Sequence, residues 1–121
     1  TLRDLVNCRK GGAKMLETAT AAIAVYSDSD VTDTFIEDSS LVMGWMHLMA
    51  SDLGLGSCWL QLRLRPSNEE GVSAEDFVNR RLGAPDNQNV EALLVMGHID
   101  EAPTAHELPE LPCDKVHAER W

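Results

Sequence analysis

The sequence predicts a layered α+β domain with helices packed on a sheet, and three observations predict it. Segments with strand character alternate along the chain with segments of helical character. Residues 36–53 (IEDSSLVMGWMHLMASDL) form a long helical run with acidic residues at its start and glycines after its end. Residues 90–99 (VEALLVMGHI) form the strongest strand, an apolar run bounded by polar loops. No repeat, low-complexity tract or inter-domain linker interrupts the 121 residues, so residues 1–121 read as a single domain.

The elements follow in order. Leu2, Leu5, Val6 and Cys8 give a short amphipathic helix that Gly11 and Gly12 end, and residues 13–19 read as a second helical turn. Residues 20–26 (TAAIAVY) are a buried strand, halted by the loop Ser27-Asp28-Ser29-Asp30. In the 36–53 helix, Glu37 and Asp38 complement the positive end of the helix dipole, with Asp33 or Thr34 as the cap. Its apolar residues Leu41, Val42, Met43, Trp45, Met46, Leu48, Met49 and Leu53 cover nearly every face. A helix apolar all round must be buried all round, and a chain this short has little material to wrap it, which predicts a homodimer. Gly54 is placed for a left-handed cap.

Residues 57–64 (SCWLQLRL) alternate well enough to be a strand. A polar loop at 66–71 leads to a helix capped by Ser73 and running to Leu82. A turn-rich loop at 83–89 precedes the 90–99 strand. From Asp100 onward Pro103, Pro109 and Pro112 punctuate an irregular tail, expected to wrap along a surface.

Composition narrows the function. Twenty acidic residues against 10 Lys and Arg give a net charge of −10, which opposes binding to phosphate backbones or anionic membranes and fits a solvated acidic surface. The three cysteines, at 8, 58 and 113, are odd in number and widely spaced, as in a reduced cytoplasmic protein. Signatures for a Ser hydrolase, a zincin, a P-loop and a dinucleotide fold are absent. Gly54-x-Gly56 follows a helix instead of opening one, so it reads as a terminator. His106, Cys113 and His117 lack the paired spacing of a zinc site, and His47 reads as a core or interface histidine. Asp28, Asp30 and Asp33 lack the Gly and terminal Glu of a calcium loop, and adjacent Glu37 and Asp38 point to different faces.

Read together, several segments resemble the small FMN-dependent nitroreductase-like flavoproteins. They are Glu37-Asp38-Ser39 at the helix start and the run Leu53-Gly54-Leu55-Gly56-Ser57-Cys58-Trp59. Val95-Met96-Gly97-His98 and the ending from Lys115 to His117 and Trp121 complete them. The resemblance implies a central, mostly antiparallel sheet flanked by helices, and a homodimer holding FMN in clefts between subunits. It implies an NAD(P)H-dependent oxidoreductase with a nitroaromatic, quinone or similar acceptor. By position Trp59, Leu60 and Gln61 would line the flavin with their backbone toward its reactive edge, with Arg63 as a further flavin or nicotinamide contact. No catalytic residue is implied, because the flavin carries the hydride chemistry.

Two family features are missing from these residues. The chain opens at Thr1, downstream of the family's phosphate-gripping Arg-Ser-x-Arg type segment, as a truncated protein would. Where a basic residue commonly follows the last strand, Glu101-Ala102-Pro103-Thr104-Ala105-His106 stands instead. A phosphate without cationic partners binds poorly. The alternative expectation is therefore a non-enzymatic dimeric remnant of the fold that binds no flavin.

Overall fold

A computed structural model describes residues 2–107 and 112–120. Strands β1 (Ala21–Asp28), β2 (Gly56–Gln61) and β3 (Gln88–Gly97) form an antiparallel sheet in the order β1-β3-β2. Helix α1 (Phe35–Asp52) covers one face. Helix α2 (Ala74–Leu82) and the 3₁₀ turns Leu2–Leu5 and Lys14–Glu17 cover the other. This is the expected α+β layering.

Central position explains the apolar sequence of β3. With a strand on each side and a layer on each face, Val90 through Val95 are all buried. Leu93 and Val95 join Leu5, Cys8, Leu16, Leu60, Leu62 and Phe77 in the larger core, while Ala92 and Leu94 meet Val25 and Met43 beneath α1. Burial pushes the Cys8 thiol up to about 11, so this cysteine is a packing residue with little thiolate character.

The ends of α1 have distinct local causes. At the C-terminus Gly54 takes φ 71°, its N–H reaches the carbonyl of Ser51 and that of Leu55 reaches Ala50. That double bond is a Schellman cap, and the left-handed backbone it needs suits glycine. At the N-terminus Thr34 holds the cap position without capping any N–H through its side chain. Its hydroxyl donates instead to the Asp38 carboxylate at 3.0 Å. Helix α2 is capped as expected: Ser73 Oγ accepts from Asp76 N–H at 2.9 Å.

Within one protomer α1 is not buried all round. Ser39, Met43 and Ala50 face the sheet, while Leu41, Trp45 and Leu48, spaced i, i+4, i+7, face outward beside Val42, Met49 and Leu53. Trp45 is 62% and Leu48 71% exposed.

The predicted strand at 57–64 is shorter than its alternation suggested. The N–H groups of Leu62 and Arg63 both bond to the Glu91 carbonyl, at 3.3 and 3.2 Å, so two residues oppose one and the ladder ends in a bulge. Leu64 then turns the chain with φ 59°, and its N–H donates to the Glu75 carboxylate at 3.0 Å. Burial holds the Glu75 carboxyl above its ordinary value, partly offset by that N–H.

The first two helical segments are single 3₁₀ turns, and the strongest strand ends at Gly97, two residues before its expected end. The described tail residues are exposed from His98 to Glu107 and from Pro112 to Arg120, with one 3₁₀ turn at Cys113–Lys115. Thr1, Pro109 and Trp121 lie outside the described residues. Among those described, no helix is long and apolar enough to cross a membrane.

Candidate functional site

The glycine turn after α1 delivers the chain directly into β2, which lies at the edge of the sheet. In an antiparallel pair every second residue exchanges both main-chain bonds with its partner, and the residues between turn theirs away. The bond from Leu62 N–H to Glu91 C=O fixes this parity, because Leu62 continues the pairing of Leu60 with Leu93. Gly56, Cys58 and Leu60 therefore bond toward β3. The N–H and C=O groups of Ser57, Trp59 and Gln61 point to the open edge.

Side chains alternate along the same strand. Leu60 is fully buried in the larger core, whereas Trp59 packs at the margin of the α1 layer and is partly exposed. The four predicted contacts thus divide. Trp59 and Gln61 offer both side chain and main chain near the edge, Leu60 anchors the strand from behind, and Arg63 lies in the bulge that ends it.

A network that the sequence did not reveal connects them. Trp59 Nε1–H donates to Gln61 Oε1 at 2.7 Å, and Gln61 Nε2 donates to Glu91 Oε1 at 3.1 Å. Gln61 Nε2 also reaches the Arg63 carbonyl at 3.4 Å, and Arg63 Nε lies 4.0 Å from Glu91 Oε2. Two of the four predicted residues, Gln61 and Arg63, meet at one buried carboxylate, and Trp59 is tied to it through Gln61. The signal for it was a lone Glu in the apolar run Val90-Glu91-Ala92-Leu93-Leu94, which reads as an ordinary outward position on a strand.

The other end of β2 borders an open cleft of about 230 Å³, lined by Met15, Thr18, Ser57, Cys58, Gly97 and His98 among others. Gly56 and Gly97 pair across the strands there. A Cβ on Gly56 would lie 3.1 Å from the Ile99 side chain, so the glycine keeps this entrance narrow and smooth. His47 is exposed on α1, where its Nδ1 hydrogen-bonds Ser57 Oγ and ties the helix to the start of the strand. Among the described residues no group of three His, Cys, Asp or Glu is gathered to hold a metal ion.

A sheet with one helical layer on each face and an open edge strand behind a glycine turn defines a three-layer α+β class. The model described as the nitroreductase family matches residues 2–98, and the chain belongs to that family. A protein of Archaeoglobus fulgidus, provisionally described as an NADH dehydrogenase/NAD(P)H nitroreductase, is 30% identical over 113 residues, which are 89% of this chain and 62% of that protein. The chain therefore spans under two thirds of the length of the curated relative. The solved FMN-dependent nitroreductase from Clostridium difficile R20291 is 34% identical and superposes with a TM-score of 0.92, covering 100% of this chain and 72% of that one. A structure from Parabacteroides distasonis shares the fold, with a TM-score of 0.83 at 21% identity over 99% of this chain and 67% of that one.

Proposed function

We propose that this chain forms the ring-binding part of an FMN-dependent oxidoreductase of the nitroreductase type. It would take hydride from NAD(P)H and pass it to a nitroaromatic, quinone or similar acceptor in a ping-pong cycle. The observation that carries the reading is the open edge of β2, where the main-chain groups of Ser57, Trp59 and Gln61 face outward and a cleft borders the Ser57 end. Fixed N–H groups of this kind suit a flat ring with acceptor atoms along one edge, because they need no reorganisation to polarise it. FMN, when bound, supplies hydride acceptance and donation at its ring.

The residues fit the ring and not the phosphate. Arg63 is the cation next to the strand, and its guanidinium is turned toward Glu91. The role left to this protomer is to orient: the core side chain of Leu60 fixes the strand's height, and Gln61 fixes the Trp59 indole. A cleft of about 230 Å³ is below the ~300–1,000 Å³ usual for ligand pockets, so further walls are needed. A second copy packed through the outward face of α1 would supply them, making the functional unit a homodimer. The unpaired thiols at Cys8, Cys58 and Cys113 suit a reducing, cytoplasmic setting.

Adding FMN to the purified protein and desalting tests this reading. The expected result is a retained flavin absorption band that bleaches with NADH or NADPH and returns when an acceptor is added. A protein that emerges colourless and leaves flavin fluorescence unchanged would instead support the non-enzymatic remnant.

A further inference from the structure

We propose that Glu91 is the positioning residue of the β2 edge, holding Gln61 and through it the Trp59 indole in one orientation. The inference deepens the flavin reading above and rests on it only for its consequence in binding. Its structural part stands on the geometry alone.

The sheet is built to place this carboxylate. The register between β1 and β3 slips at one point: Val25 pairs with Ala92, but Tyr26 pairs with Val90, leaving Glu91 as the extra residue. A bulge of this kind redirects side chains. Val90 falls in with Leu93 and Val95 on the larger core, although it would share the Ala92 face in a regular strand. Glu91 is swung beside Gln61, which pairs with Ala92. The same residue is bulged against β2 as well, its carbonyl taking both the Leu62 and Arg63 N–H groups. One residue thus marks the irregularity in both ladders.

Burying a carboxylate is unfavourable unless other groups solvate it. Glu91 is only 7% exposed, inside an otherwise apolar run, and the partners it has are Gln61 Nε2 and Arg63. The direction of the chain of bonds follows from its chemistry. An ionised carboxylate only accepts, so it draws the NH₂ end of the Gln61 amide. The amide oxygen must then face the other way, where it accepts the indole N–H. With Nε2 also near the Arg63 carbonyl, both Gln61 donors are directed into the protein. The polar end of the Gln61 side chain is therefore engaged within the protein, leaving its main chain and the Trp59 indole at the edge.

The test follows the Trp59 indole N–H signal in ¹⁵N-labelled full-length protein, assigned with Trp59→Phe. The variants are Glu91→Gln, Glu91→Ala and Gln61→Ala. In the unaltered protein the indole signal should be single and slow to exchange with water. Glu91→Ala and Gln61→Ala should shift it and speed exchange about fivefold, the cost of one lost net hydrogen bond being ~1 kcal/mol. Glu91→Gln brings an NH₂ donor beside its acceptor oxygen, so the Gln61 amide is no longer drawn one way and the indole signal should shift or split. If Glu91→Ala does not fold, Glu91→Gln carries the comparison, since it keeps the side-chain volume and changes only the donor and acceptor set.

An unchanged indole signal in the alanine variants would overturn the proposal, even with a lowered melting temperature, because destabilisation alone would show only a structural role. A single, unshifted indole signal in Glu91→Gln would overturn it too, because an acceptor-only group at 91 would then not be what orients the Gln61 amide. Where the unaltered protein binds FMN, Glu91→Ala should weaken that binding at least about tenfold, and equal affinity contradicts the positioning role. If it binds no FMN, the function proposed above fails while the indole signal still decides the part played by Glu91.

Discussion

Leu48→Glu is expected to convert the homodimer proposed above into a monomer while leaving the fold of each protomer unchanged. Leu48 is 71% exposed on the outer face of α1, so a glutamate there meets water in the single chain. In a dimer formed through this face the same residue would be buried on each protomer. Each buried leucine contributes roughly 1.5–3 kcal/mol, and the substitution occurs twice, so the dissociation constant should rise by about 10²- to 10⁴-fold. Sedimentation velocity at micromolar concentration reads the change, and circular dichroism should show the original helix content. Identical sedimentation of variant and unaltered protein would place the contact elsewhere. Trp45 and Leu41, on the same stripe, should respond in the same direction.

Leu60→Asp should prevent folding altogether. Its neighbours on the strand, Trp59 and Gln61, are partly exposed, but the Leu60 side chain is fully buried among Leu62, Phe77 and Leu93. The substitution removes about 2–5 kcal/mol of core packing and buries a carboxylate with no partner, against a total stability of about 5–15 kcal/mol. Leu60→Met keeps the volume and should cost under about 1.5 kcal/mol. Thermal unfolding followed by circular dichroism separates the two outcomes. A soluble, cooperatively folded Leu60→Asp protein would mean that this side chain faces the cleft. Leu60 would then contact a ligand directly, and its anchoring role would be lost.

The elements set by local chemistry were legible. Gly54, Ser73 and the apolar run of β3 each act within a few residues, and the structure puts them where sequence reasoning expects. Helix α1 agrees to one residue at each end. What escaped detection depends on pairing between distant segments. Alternation at Leu62 and Leu64 continues the strand pattern, yet the Glu91 carbonyl ends the ladder from 29 residues away, a separation visible only once the strands are aligned. Glu91 itself was hidden for the same reason, because a register slip is not written in the residues of either strand alone. The expectation that α1 is buried on every side is not met within one protomer, which covers a single side of the helix and leaves Leu41, Trp45 and Leu48 exposed. Which faces one chain can cover depends on how the helix is seated on the sheet.

The open edge of β2 is what the flavin reading depends on, and main-chain amide shifts during an FMN titration probe it most directly. The largest changes should fall on the amides of Ser57, Trp59 and Gln61, with those of Cys58 and Leu60, bonded toward β3, moving less. Saturable shifts centred instead on the loop around Lys10, Arg65 and Ser67, or no shifts at all, would contradict a ring seated along this strand.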